Sequence, residues 1–178
     1  MTAGNGGRRA DPVARPPLRH PAVWLSTLFG AGFLKPAPGT LGSLLAVGPG
    51  WLLLELAGPV ALAAAALLVF GLGCWSAGRY VRLTGRQDPS EVVIDEVAGQ
   101  WLTLACVPAD PLWIGAAFLL FRVMDITKPW PVRLADRRVH GGFGIMLDDL
   151  LAAGYAGGLL LAAQMVLGPG PIKMFALG

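Results

Sequence analysis

Apolar residues run in long stretches along this chain, and short polar or proline-bearing segments separate them. The stretches cover residues 41–57, 59–77, 97–107, 111–121 and 150–167, and they read as helices. Two of them, 59–77 and 150–167, approach the roughly 20 residues a helix needs to cross a bilayer. The pair 97–107 and 111–121 falls short, so these segments must tilt, re-enter or gain length from their polar ends. Gly58-Pro59 breaks the first pair and Pro108-Ala109-Asp110-Pro111 the second, each as a tight helix hairpin. A further stretch, 22–34, carries Trp24 and Phe29 and reads as an interfacial or docked helix. The pattern predicts an all-α fold, a multi-helix membrane-embedded bundle with short helical hairpins.

The ends differ from this body. Residues 1–21 mix Gly, Pro and Arg without periodicity and read as a flexible basic tail, 22–168 as the helical domain and 169–178 as a second flexible tail. Four arginines precede the stretch 22–34 as in a signal peptide, but Lys35-Pro36 follows it directly and no small-x-small cleavage pattern is present. Composition sharpens the membrane reading. Hydrophobic residues make up 54% of the 178 and charged ones 14%, against about 25% charged in soluble domains. A disordered chain or a coiled coil is excluded on the same grounds. Cys74 and Cys106 lie inside apolar runs without metal-ligand spacing and read as packing residues. The net charge of +3 is modest and its arginines form no stripe with aromatics, which argues against nucleic acid as a partner.

The cations are unevenly placed. Arg8, Arg9, Arg15, Arg19 and Lys35 precede the first run; Arg79, Arg82 and Arg86 follow the second; Arg122, Lys128, Arg133, Arg137 and Arg138 follow the fourth. Neither hairpin break carries Lys or Arg, so the positive-inside rule puts the three basic segments in the cytoplasm and both hairpins on the far side. With an odd number of spans, Lys173 in the C-terminal tail then lies outside.

Acidic residues beside apolar helices need a reason, because an ionised Asp at mid-bilayer costs about 2.5–3.5 kcal/mol on insertion scales. They fall in three places: Asp95-Glu96 open the third run, Asp125 closes the fourth, and Asp148-Asp149 open the fifth. On the topology above, all five converge at one membrane depth. Helix-start charge accounts for Asp88 and Glu91 near Ser90. It does not account for Asp125 near a helix C-terminus, where negative charge is unfavourable unless paired. It accounts poorly for the adjacent pair Asp148-Asp149, whose side chains diverge by about 100 degrees.

Arg122, Asp125 and Lys128 recur at steps of three along one helical stripe that Pro129 ends, a pattern able to hold a phosphate between cations or to form an internal salt-bridge ladder. Glycine-rich segments precede two of the helices, 35–43 and 141–144, where backbone N–H groups could approach an anion with Thr40 or Ser43 as a cap or contact. Converging carboxylates without a histidine or thiolate cluster favour a hard ion. Magnesium fits best, because it uses a few carboxylates together with substrate phosphate. Metal, cations and carboxylates at headgroup level point to chemistry on a phosphorylated lipid.

Three compound motifs then become recognisable: GAGFLKPAPGTLGSL from Gly30 to Leu44, IDEVAGQWLTL from Ile94 to Leu104, and the stretch from Phe121 to Gly154 that contains FRVMDITKPWP and GGFGIMLDDL. In order and spacing they resemble the phosphatidylglycerophosphatase A family over about Trp24 to Gln164. One departure is an extra alanine in the small-residue turn at Ala153-Gly154, away from the acidic positions. The resemblance implies a magnesium-dependent, multi-pass enzyme of the bacterial inner membrane with its active site facing the cytoplasm. It implies hydrolysis of phosphatidylglycerophosphate to phosphatidylglycerol and inorganic phosphate, in phospholipid biosynthesis.

On that reading Asp95, Glu96, Asp125, Asp148 and Asp149 supply the metal site, with Asp95, Glu96, Asp125 and Asp149 also taking part in catalysis. Lys35, Thr40, Arg122 and Lys128 bind substrate. The nucleophile is either a metal-activated water or an aspartate. A thiol phosphatase is excluded because only four residues separate Cys74 from Arg79, and a histidine nucleophile is disfavoured by having only His20 and His140. The competing non-enzyme reading is a membrane anion or ion carrier using the same charges.

Overall fold

The computed structural model of the chain describes residues 18–167, apart from the side chains of 135–137. Most of the first predicted tail and all of the second lie outside them. Six α-helices follow in order: α1 Pro21–Ser26, α2 Pro38–Thr84, α3 Ile94–Leu104, α4 Pro111–Thr127, α5 Val132–Arg138 and α6 Gly141–Leu167, with a 3-10 turn at Ala31–Phe33. No strand is present among the described residues, as the all-α expectation requires.

α2 is two helices in one. Its 47 residues would extend about 70 Å if straight, but Gly58 sits at φ 83°, ψ 175°, a conformation open to a residue without Cβ. Pro59 then restarts the helix with its φ already set. The first limb, 38–57, runs parallel to α3, since Gly42 packs on Val93 and Gly50 on Trp101 and Leu104. The second limb, 59–84, runs antiparallel to α3: Leu62 clusters with Leu104, and Ala77 and Tyr80 with Ile94 and Ala98. The chain therefore reverses at Gly58-Pro59, as the break predicts.

α4 returns along α3, with Trp113 and Ile114 beside Leu104 and Phe121 against Gly99. Asp110 caps it by accepting from the N–H of Leu112 at 2.9 Å and of Trp113 at 3.4 Å. α6 lies antiparallel to the second limb of α2. A Cβ at Gly142 would stand 2.2 Å from the Cys74 carbonyl oxygen and 2.3 Å from the Gly78 nitrogen, so the two backbones meet directly. Five helical segments thus bring residues 38–43, 84, 94–96, 122–128 and 141–149 to one end, and Gly58, 105–110 and 167 to the other.

α3 is the centre of this arrangement. Ala98, Gly99, Gln100, Thr103 and Leu104 are all buried, and the polar stripe Glu96, Gln100 and Thr103, at i, i+4 and i+7, is turned inside the bundle rather than to its surface. Its 11 residues span about 16 Å, short of a bilayer core of about 30 Å. α4 instead gains length from its polar end, extending past Phe121 to Thr127.

Three sequence expectations are corrected. The stretch 22–34 is not one helix: Leu28, Phe29 and Gly30 all have positive φ. The Thr27 hydroxyl accepts from Gly30 N–H at 3.1 Å and donates to Val23 O at 2.7 Å, and this side-chain competition with the backbone ends the helix. His20 does not belong to a loose tail, because its Nδ1 accepts from Ala22 N–H at 3.1 Å and caps α1. Finally, Asp148 and Asp149 do not open a helix. α6 begins at Gly141, since the glycines of 141–144 serve close packing on α2 and the Val139 carbonyl rather than forming a loop.

The outer surface is strongly apolar, with Leu56, Val60, Leu68, Met165 and Val166 among its exposed residues. α2 and α6 are long and apolar enough to cross a membrane. Only 17% and 28% of their most apolar stretches are buried, so neither is the enclosed core helix of a soluble protein.

Candidate active site

The buried centre of the polar end is built by three helices. Glu96 stands in the first turn of α3, Asp125 near the end of α4, and Asp149 two turns inside α6. One carboxylate oxygen from each lies within 4.8 Å of the others, the one such group of three among the described residues. Arg122, one turn before Asp125, pairs with Asp125 Oδ2 at 2.9 Å and with Glu96 Oε2. Its side chain is 12% exposed and that of Glu96 10%, so this pairing is enclosed.

Ser43 joins the first limb of α2 to the cluster. Its hydroxyl donates to Glu96 Oε2 at 2.7 Å and accepts from Arg122 Nη1 at 3.2 Å. Gly39 lies one turn earlier on the same helix face, and a Cβ there would stand 2.2 Å from Glu96 Oε1. The sequence had named Ser43 only as a cap or anion contact and had not singled out Gly39. Their i,i+4 spacing is the signal, and it becomes readable once Pro38 is taken as the first helical residue.

The donor set fits a hard cation. Three carboxylates face one guanidinium, all the candidate ligand atoms are oxygens, and the buried Asp149 Oδ2 has no hydrogen-bond partner. A buried carboxylate oxygen left this way is costly unless a cation completes it. Gln100, fully buried one turn beyond Glu96, also has both amide atoms without partners. Nothing in the residue pattern had marked it.

The other two predicted carboxylates stand beside this cluster. Asp148 accepts from Lys128 Nζ at 2.5 Å. Lys128 ends α4 in a left-handed conformation, φ 43°, with its N–H on Met124 O at 2.9 Å; such a backbone in a residue with a Cβ costs about 1–3 kcal/mol and is common at functional sites. Half-buried Asp95 accepts the N–H of Glu96 at 3.0 Å. Together with Gln87, Asp88, Asp148 and His140 it lines a cavity of ≈ 260 Å³.

Two predicted substrate ligands lie elsewhere. Lys35 and Thr40 are exposed around a shallow hollow of ≈ 230 Å³ with Leu41 and Leu44, and no hydrogen bond or ion pair among the described residues ties them to the cluster. Asp88 and Glu91 do not cap α3, which starts at Ile94 after Val93 without a side-chain cap. Glu91 instead pairs with Arg86 at 2.7 Å, and this hydrogen bond raises the Arg86 guanidinium above its ordinary value. Cys74 and Cys106 are partly buried free thiols in the helix packing.

A family model described as Phosphatidylglycerophosphatase A matches residues 24–164. The chain belongs to the phosphatidylglycerophosphatase A family. A Haemophilus influenzae protein named Phosphatidylglycerophosphatase A is 41% identical over 155 residues, covering 86% of this chain and 95% of that one. An Escherichia coli protein of the same name is 37% identical over 155 residues, covering 85% and 90%. A Bacteroides thetaiotaomicron protein provisionally named a phosphatidylinositol-3-phosphatase is 40% identical over 154 residues, covering 82% and 95%. No solved structure matches the chain. The membership bears out both the motif resemblance and the reading of the chain as an enzyme of phosphatase type.

Proposed function

We propose that this protein is a membrane enzyme that hydrolyses phosphatidylglycerophosphate to phosphatidylglycerol and inorganic phosphate with magnesium, at the cytoplasmic face of a bacterial inner membrane. The carrying observation is the enclosed group Glu96, Asp125 and Asp149 beside Arg122. The family supports the substrate, and the apolar faces of α2 and α6 support insertion in a bilayer.

Glu96, Asp125 and Asp149 would hold the ion, and Ser43 fixes the Glu96 carboxylate among them. A divalent ion bound there supplies positive charge against the phosphoryl oxygens as charge develops on them. Arg122 and Lys128 hold the terminal phosphate and orient it toward the cavity. Asp95, on the cavity wall, accepts the proton of a water whose oxygen bonds to phosphorus and returns it to the glycerol oxygen as the ester P–O bond breaks, while Asp148 keeps Lys128 in place. Lys35 and Thr40 meet substrate at the outer edge of the site. Carrier function is not favoured by membership of a phosphatase family.

The test is phosphate release by the purified protein from phosphatidylglycerophosphate in mixed micelles. Release with magnesium that stops in chelator is expected, and no release in either condition removes the proposal. An aspartyl phosphate trapped by acid quench during turnover would replace water by a carboxylate as the attacking group.

A further inference from the structure

Of the residues around a hollow of ≈ 450 Å³ at the end of α4, the reaction above uses Lys128 alone. Its wall is Thr127, Lys128, Pro129, Trp130, Arg133 and Leu134. The chemistry of this wall is opposite to that of the cavity beside the carboxylates. Asp88, Asp95 and Asp148 line that cavity, whereas the described side chains of the hollow include two cations, an indole and a leucine and no carboxylate.

The wall is also built rather than loose. The Trp130 carbonyl accepts from the Tyr155 hydroxyl of α6 at 2.8 Å, the Lys128 N–H bonds to Met124 O at 2.9 Å, and the Leu134 N–H to Pro131 O at 2.9 Å. Trp130 is nonetheless 77% exposed, so the indole stands at the surface with its backbone fixed. Lys128, held at 2.5 Å from Asp148, marks the border between the hollow and the acidic site.

We infer that this hollow seats the phosphodiester of the lipid substrate, and this rests on the reading of the site as a phosphatidylglycerophosphate phosphatase. That substrate carries two phosphates one glycerol apart. The monoester goes to Arg122 and the carboxylate cluster; the diester, repelled by the acidic cavity, goes to the cationic hollow. Arg133 offers a planar fork to its two free oxygens, and Lys128, at the border, lies between the two phosphates. Trp130 and Leu134 meet the glycerol backbone and the first carbons of the acyl chains, the level at which amphipathic rings settle. The hollow thereby selects lipids whose phosphomonoester is separated from the diacylglycerol by a second phosphate. A phosphatidic acid, with a single phosphate, cannot fill both seats.

The experiment uses the full chain in neutral detergent micelles and has two arms. In the first, dioleoyl phosphatidylglycerol, which has the diester and no monoester, is titrated and its binding read by native mass spectrometry, with dioleoylglycerol as the phosphate-free control. Wild type binds the phospholipid in preference to the control, Arg133→Gln weakens it about tenfold, and Arg133→Lys restores part of the loss. In the second, Arg133→Gln and Trp130→Ala raise the KM for phosphatidylglycerophosphate with kcat within about twofold, and phosphatidylglycerol inhibits wild type competitively. Inhibition that is not competitive would assign the hollow to a bulk anionic lipid and overturn the substrate seat. Equal phosphatidylglycerol binding by wild type and Arg133→Gln overturns the hollow altogether. A protein that releases no phosphate fails the proposed reaction, while the binding arm still decides the hollow.

Discussion

At the end of the bundle that contains Gly58 and residues 105–110, polar side chains mostly serve near neighbours. Asp110 caps the N–H groups of Leu112 and Trp113, and Trp51 Nε1 donates to Glu55 Oε1, one turn away, at 2.9 Å. Even a long-range bond there, from Gln164 to the Cys106 carbonyl at 2.8 Å, satisfies the backbone of a turn. At the opposite end Ser43 reaches Glu96 across 53 positions and Arg122 reaches Ser43 across 79. Yet those bonds leave the Asp149 Oδ2 without a partner. The same helices thus spend polarity on closing their turns at one end and on assembling an incompletely satisfied cluster at the other. A buried carboxylate oxygen left unpaired in such a cluster costs the fold free energy, which is the physical reason to read it as a site.

The sharpest way to break this contrast is Asp149→Asn. Phosphate release is expected to fall to background while far-UV circular dichroism stays that of wild type. In chelator its thermal midpoint should equal or exceed that of wild type, because a crowded buried charge is gone, and added magnesium should raise the midpoint of wild type alone. A wild-type rate would take Asp149 out of the metal set. Arg122→Gln tests the other half of the cluster. It leaves Glu96 and Asp125 without their buried cation, so denaturant unfolding should show a loss of about 3–5 kcal/mol. A loss under about 1 kcal/mol, typical of an exposed pair, would contradict the enclosed geometry.

Ser43→Ala removes a positioning hydroxyl and no charge. Magnesium affinity measured by calorimetry should drop about 10–100-fold, the usual effect of deleting a group that orients a ligand; unchanged affinity would reduce Ser43 to a packing contact. The smallest effect belongs to the far end. Asp110→Ala should cost about 1 kcal/mol of stability as a lost cap and leave kcat/KM for phosphate release unchanged. A fall in turnover there would erase the division between the two ends.

The same division explains what the sequence makes legible. Gly58-Pro59 and Pro108 to Pro111 act on their own backbone, so both hairpins can be read locally. The five acidic positions are readable too, because charge beside apolar helices is conspicuous at any distance. Their sorting is not: that Glu96, Asp125 and Asp149 form the cluster while Asp95 and Asp148 line the cavity depends on helix register across three elements. Gly39, Ser43 and Gln100 are ordinary helix residues until α3 is seen between its neighbours. The start of α6 is misread for a related reason, since glycines that suit a loop equally suit backbone contact with Cys74 and Gly78.

The shortness of α3 has a consequence for how the protein comes into being. On the membrane reading, α2 and α6 insert on their own hydropathy, but α3, with 11 residues and a buried Gln100 and Thr103, cannot remain in lipid alone. It must dock onto partners already inserted, which makes it a late step of assembly and Glu96 among the last of the proposed ligands to arrive. Metal affinity then reports completion of the fold: a chain stalled with α3 undocked would keep its helical spectrum and its place in the bilayer while binding no magnesium.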